Sequence, residues 1–267
     1  MTEPSGHVEH PGEAALVAVA PPGVAEPEFD LTGLSPGAVL AMRTAALEIS
    51  ECYRVLSRGG LNVVGELLRG HEAFFEDDHY PSGDVFDAET GSQYYYHAHR
   101  GIELEHGHFH TFLRGKGLLP DCRAAGVQAD DPEVPKNSQL VHLVGISMDP
   151  WGFPMALFAT NRWVTGETWL GADEIEPLLA NFDIDHAWPS WPVNRWISAM
   201  LVLFRPQVMA LLRQRDELIE QWRARYPAQN PYEDTRLEMT GWVPVAPDRQ
   251  TLALDALYDE NGQPKAG

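Results

Sequence analysis

Apolar positions along the chain change their period twice. From Ser35 to Gly60 they fall at helical spacing, through Val39, Leu40, Met42, Leu47, Ile49, Tyr53 and Leu56. Ser35 is placed to cap this segment, Pro36 stands at the first helical position and Gly59-Gly60 supplies a stop, so a long amphipathic helix is predicted. LNVVGELL (61–68) adds a shorter one. The polar stretch FEDDHYPSGDVFDAETG (75–91) reads as a loop, either an exposed connector or the wall of a site. From Gln93 the texture turns to strands: QYYYHAHR, LEHGHFHTFLR, QLVHLVGISMD and FPMALFATNRWV have the aromatic and β-branched content of an antiparallel sheet. Asp149-Pro150-Trp151-Gly152 predicts the turn that joins the last two. Beyond Leu170 the helical period returns over Ser190–Phe204 and Pro206–Arg225, with Val208, Leu211, Leu212, Ile219 and Trp222 on one side of the second. RLEMTGWVPV (236–245) reads as a late strand.

This order implies an α+β fold, an antiparallel β-sheet carrying a histidine-rich hairpin and flanked by N-terminal and C-terminal α-helices. Residues 1–33, rich in Pro, Ala and Gly and holding His7 and His10, read as a disordered tail. Residues 34–258 form a single α+β metal-binding domain in this reading, and 259–267 a flexible C-terminal tail. No internal repeat is found.

Charge narrows the partners. The 39 acidic residues against 19 basic ones give a net charge of −20, which repels phosphate backbones, so nucleic acid is not an expected partner. No basic amphipathic stretch suits an anionic membrane, and no apolar run approaches the ~18 residues of a membrane span. Ala14–Ala20 is preceded by three glutamates and no Lys or Arg, so it is not read as a secretion signal. Two widely separated cysteines, Cys52 and Cys122, fit a reducing cytoplasm and read as structural or inert. A small-molecule substrate is the expected partner, with the oligomeric state left open.

The concentrated chemistry lies in HAHRGIELEHGHFH (97–110), which holds five of the chain's 11 histidines. Alternation puts His97 and His99 on one face of a strand and His106, His108 and His110 on one face of the next. A two-residue turn with Gly101 at its first central position pairs Arg100 with Glu103, His99 with Leu104, His97 with His106 and Tyr95 with His108. All five imidazoles then share a face, where an odd-length loop would separate the two sets. Imidazole is the commonest protein ligand for such ions, and rings on paired strands can converge on one. The expected ligands are therefore His97, His99, His106, His108 and His110 around a divalent transition metal, iron or zinc first and manganese, nickel or copper as alternatives. Glu105, Asp84 and His142 are the candidates for acid–base work. His142 is in phase with Leu140, Val144 and Ile146, and so faces either the core or the site. Asn161, Arg162 and His186 are further candidates, although each alone is more often structural. The many Tyr and Trp residues on and after the strands favour an aromatic molecule if they line a cavity, with Arg100, Arg162 or Arg195 available for a carboxylate.

Two resemblances attach to this stretch. Gly91, His97, His99 and Glu103 are similar to the first cupin motif, G-x5-H-x-H-x3-E, whose histidines and glutamate bind a metal in that family; this implies Glu103 as a ligand, whereas the tight turn pairs it with Arg100. The likeness is confined to that motif: His110 stands where its last glycine belongs, and no second motif surrounds His142 or His186. YYYHAHR followed by EHGHFHTFLR resembles an uncharacterised bacterial family, a domain of unknown function, over most of the ordered chain. That likeness implies a bacterial source and no particular activity.

The chain has no P-loop, G-x-G-x-x-G, G-x-S-x-G or HExxH. Its functional expectation is a histidine-ligated mononuclear metalloenzyme, a non-haem iron oxygenase or a metal-dependent lyase or hydrolase acting on a small aromatic or carboxylate-bearing molecule. The alternatives are a non-catalytic metal buffer or sensor, and a protein whose histidines serve packing or hydrogen bonding.

Overall fold

A computed structural model describes residues 23–101, 105–118 and 139–265. Helix α1 (Pro36–Arg58) starts where the cap signals place it: Ser35 Oγ accepts from Ala38 N, and the Gly59 N–H returns to Leu56 O. Its buried stripe is Val39, Met42, Ala45, Ala46, Ile49, Cys52 and Leu56, while Leu40 and Leu47, which the apolar pattern counted with that stripe, are exposed. Burial pushes the Cys52 thiol up to about 12, and the nearby Glu48 carboxylate adds to this, so the group is an inert thiol. Helix α2 (Val63–Leu67) follows, capped by Asn62.

Six strands form one sheet: β1 (Tyr80–Phe86), β2 (Ser92–His97), β3 (Gly107–Arg114), β4 (Leu140–Met148), β5 (Pro154–Thr160) and β6 (Met239–Pro244). They are ordered β1-β2-β3-β4-β5-β6, and every neighbouring pair is antiparallel. β1 lies inside the stretch read as a polar loop. A register shift between Tyr80 and Val85, with Gly83 at φ 88° and Asp84 at φ 57°, destroys the alternation by which a strand is recognised. The β4–β5 turn is the expected one, with Asp149 Oδ1 accepting from the backbone of Trp151 and Phe153.

Between β5 and β6 the chain forms the short helices α3 (Arg162–Thr165) and α4 (Ala172–Ile175) and the long helices α5 (Trp191–Leu203) and α6 (Arg205–Arg225). After β6 comes α7 (Pro247–Leu257), which buries only Gln250 and Leu254 and so has too thin an apolar stripe to stand out in sequence. The segment from 259 is not the free tail expected: it turns back, with Asp259 N donating to Gln263 O, Lys265 N donating to Leu257 O, and a bridge between Tyr258 and Pro264. Cys122, Glu103, His7 and His10 lie outside the described residues.

One face of the sheet packs on the helices through Tyr94, Tyr96, Phe109, Leu113, Val144, Ile146, Leu157, Ala159 and Val243. Trp196 of α5 is fully buried there against Phe109, and Asn194 takes the Tyr94 hydroxyl at 2.7 Å. Among the described residues no single helix is long and apolar enough to cross a membrane; α5 and α6 reach that length and composition only jointly, across a 71° bend.

Candidate metal centre

The opposite face of the sheet carries Tyr95 and His97 on β2, His108, His110 and Phe112 on β3, and Gly145 and Ser147 on β4 beside Phe158 on β5. The β2–β3 register differs from the expected one by two residues: His97 pairs with His108, and Tyr95 with His110. The cause is the connection. β2 ends at His97 and β3 begins at Gly107, so residues 98–106 span the gap in place of a two-residue turn, although Gly101 keeps a positive φ of 85°. Because the displacement is even, His97, His108 and His110 stay on one face.

His106 is not among the converging histidines, because it falls in the connection, ahead of the start of β3. It stacks on Phe74 with centroids 5.4 Å apart, and its Nδ1 meets the Tyr96 hydroxyl at 2.7 Å on the helix-packed side. Gly107 permits this approach, since a Cβ there would lie 2.6 Å from the Tyr96 hydroxyl oxygen.

Three histidines converge. His97, His99 and His108 each bring a nitrogen within 4.8 Å of the other two, with His108 buried, His97 half-buried and His99 exposed at the rim. His108 Nδ1 lies 2.5 Å from Glu105 Oε1, and Ser147 Oγ donates to Glu105 Oε2. A carboxylate on Nδ1 selects the tautomer that leaves Nε2 with its lone pair. The Nε2 atoms of both His97 and His108 are buried without a hydrogen-bond partner. Burial, followed by the nearby His99, His79 and Arg100, holds His97 down to about 4, and burial with Arg100 beside it keeps His108 well below the ordinary histidine range. Both rings are therefore neutral, the state in which imidazole binds a metal.

His110 and His142 stand beside the three rather than among them. Their Nδ1 and Nε2 atoms are 2.9 Å apart, and the His110 ring centroid is 5.0 Å from that of His108. His142 reaches this face through a β-bulge: Thr111 pairs with Val144 but Phe112 pairs with His142, so the phase is lost between 144 and 142. Val144 and Ile146 enter the core while His142 turns to the site, where burial lowers it to about 3. The His142 backbone N–H donates to Glu167 Oε2 at 2.7 Å, and burial pushes that carboxyl up to about 7. Phe158 closes the floor, perpendicular to the rings of His108 and His110 and lying across Gly145, where a Cβ would come within 2.2 Å of the ring.

Asp84 does not join the three histidines but holds a residue the sequence reading missed. Its Oδ1 meets His79 Nδ1 at 3.0 Å, while Gln93 Nε2 donates to Oδ2 at 2.7 Å. His79 stacks on Tyr95 at 3.6 Å, reaches the His97 ring at 5.6 Å, and lines a cavity of about 710 Å³ together with His71, Asp78, Tyr80 and Asp84. Only the β1–β2 pairing brings His79 here, so no local signal marks it. Asn161, Arg162 and His186 have other placements: Asn161 caps α3 and donates to Pro231 O, Arg162 pairs with Glu233, and the His186 carbonyl accepts from Asn194 in the loop before α5.

Fold and site together define an α+β protein whose single antiparallel sheet is backed by helices and presents a three-histidine centre on its other face. The chain belongs to the family described as Domain of unknown function (DUF6969), which matches residues 43–245, from within α1 to just past β6, and so includes the whole centre. No curated protein and no solved structure matches it.

Proposed function

We propose that the protein is a metal-dependent enzyme acting on a small organic molecule through one transition-metal ion held by His97, His99 and His108. One observation carries this reading: two of the three converging imidazoles keep a buried ring nitrogen without any partner. An unsatisfied buried polar atom costs roughly 1–3 kcal/mol, and a shared cation would satisfy both. Three protein ligands also leave a coordination position for water or substrate, as catalytic sites do and closed structural sites do not. The bound ion would supply Lewis acidity, or redox chemistry if it is iron, which fits a non-haem iron oxygenase or a metal-dependent lyase or hydrolase.

The chain's own groups divide the remaining work. Glu105, tied to Ser147, orients His108 and enhances its basicity. His142 supports His110 from behind. His79, oriented by Asp84 and bordering the cavity, is the group placed to take or give a proton at Nε2. Tyr95 and Phe158 pack their rings against the histidines and hold them in place.

The test is the metal content of the untagged protein after exposure to iron, zinc, manganese, nickel and copper, beside His97→Ala and His108→Ala. One equivalent in the wild type and little in either variant is expected; a wild type without metal after reconstitution overturns the reading. His99 at the rim is also where a buffer or sensor would take up an ion from solvent. That second reading predicts stoichiometric metal with no turnover, and no oxygen uptake by the Fe(II)-loaded protein, on any aromatic or carboxylate substrate.

A further inference from the structure

The arginines that the sequence offers for a substrate carboxylate differ in how their charge is met. Arg162 is buried against Glu233. Arg195 lies between Glu48, which takes its Nε and Nη2, and Asp183, which takes Nη1 at 2.8 Å. Both are matched by carboxylates of the fold and have little left for a ligand.

Arg100 is matched only loosely, by an ion pair with Glu105 that includes no hydrogen bond. Its guanidinium lies over the Phe158 ring, 4.3 Å from the centroid, and its side chain is only 14% exposed. Among the described residues its ion-pair partner is Glu105, whose Oε1 stands 3.6 Å from Nη1, beyond hydrogen-bonding distance. Glu105 is already engaged at both oxygens, by His108 Nδ1 on Oε1 and by Ser147 on Oε2. Among the described residues Arg100 therefore donates no hydrogen bond, and a planar fork of five N–H groups sits largely desolvated next to the histidine centre. Aromatic contact on one side holds the fork in place without consuming its donors.

The surrounding charge favours an anion. With a divalent cation on the histidines, the cation and Arg100 together face the carboxylates of Glu105 and Glu238. This positive spot lies within a chain of net charge −20, so an anion is drawn here by the local charges against the field of the whole molecule. A carboxylate matches the guanidinium fork in a bidentate manner, and a phosphate dianion carries more charge and hydration than the apolar wall of Phe158 accommodates.

The geometry points to Arg100 as the specificity-determining residue of this site, selecting a small monocarboxylate whose carboxylate pairs with the guanidinium beside the three histidines. This rests on the metal reading above.

The experiment loads the full chain with Co(II) and titrates it with benzoate, benzamide and inorganic phosphate, following the cobalt absorption spectrum. We expect benzoate to perturb the spectrum at concentrations about tenfold or more below benzamide and phosphate. Arg100→Met should raise the benzoate requirement by about tenfold or more and leave that of benzamide unchanged, with Arg100→Lys intermediate because it keeps the charge without the fork. Cobalt stoichiometry should be the same in all three proteins. Equal binding of benzoate and benzamide, phosphate binding as tightly as benzoate, or an Arg100→Met protein indistinguishable from wild type overturns the inference while leaving the metal reading intact. Loss of cobalt from both Arg100 variants also overturns it, since Arg100 would then act through Glu105. Absence of cobalt from the wild type overturns both readings together.

Discussion

Glu105 Oε1 lies 2.5 Å from His108 Nδ1, and neither residue is more than marginally exposed. The carboxylate fixes the ring's tautomer and orientation from behind. Glu105→Gln should weaken metal binding by about 10- to 100-fold, the usual effect of losing a carboxylate that supports a ligating histidine. Competition against a chelator of known affinity measures it; unchanged affinity would show that Glu105 does not serve the centre.

The register makes a separable prediction about His106. His106→Ala should keep the full metal content, while His97→Ala, His99→Ala and His108→Ala each lose most of it. The cost of His106→Ala appears in stability instead, about 1 kcal/mol, because the Tyr96 hydroxyl loses its 2.7 Å partner on the core side. Metal analysis and denaturant titration on the same preparations check both halves. If His106→Ala empties the protein, the hairpin pairs as a tight turn after all.

Gly145 is required by Phe158. A Cβ at 145 would lie 2.2 Å from a Phe158 ring carbon, so Gly145→Ala should destabilise the fold by about 1–3 kcal/mol through overpacking. Adding Phe158→Leu should return part of that loss. A double-mutant cycle in thermal denaturation gives the coupling, and simple additivity would contradict the contact.

Glu167 imposes a pH dependence of defined sign. Burial raises its carboxyl from 4.5 to about 7, outweighing the opposing pull of Arg215 and of the His142 N–H. Between those values the folded protein holds a proton that the unfolded chain has released, so this group's contribution is full below pH 4.5 and lost as pH rises to about 7. Glu167→Gln, neutral throughout, should match wild type near pH 5 and exceed it at pH 8, by at most on the order of 3 kcal/mol. His142 works in the opposite sense, since its lowered value removes stability as pH falls from 6.5 toward about 3; it is common to both proteins and cancels in the difference. Urea titrations at the two pH values decide it, and an equal gap at both would refute the assignment.

Much of the fold was legible because its signals are local. The Ser35-Pro36 start and Gly59 end of α1, the Asp149 turn and the aromatic strands need only neighbours a few residues away. β1 was not legible, because two successive positive-φ residues at Gly83 and Asp84 break the alternation, and α7 was not because it buries only two residues. At the site, the placing of His97 and His108 on one face was readable from strand period; the approach of His99 from beyond the end of β2, the exclusion of His106 and the arrival of His79 were not.

The sequence by itself determined that several imidazoles share one face, since side chains alternate along a strand and an even displacement of register leaves that alternation intact. Which of them converge was decided only in three dimensions. The long connection between β2 and β3 shifted His97 from His106 to His108, a bulge in β4 turned His142 from the core phase toward the site, and the pairing of β1 brought His79 against His97. Each depends on hydrogen bonds between segments distant in the chain, and the energy that selects among registers comes from packing across the sheet, which no local pattern of residues contains.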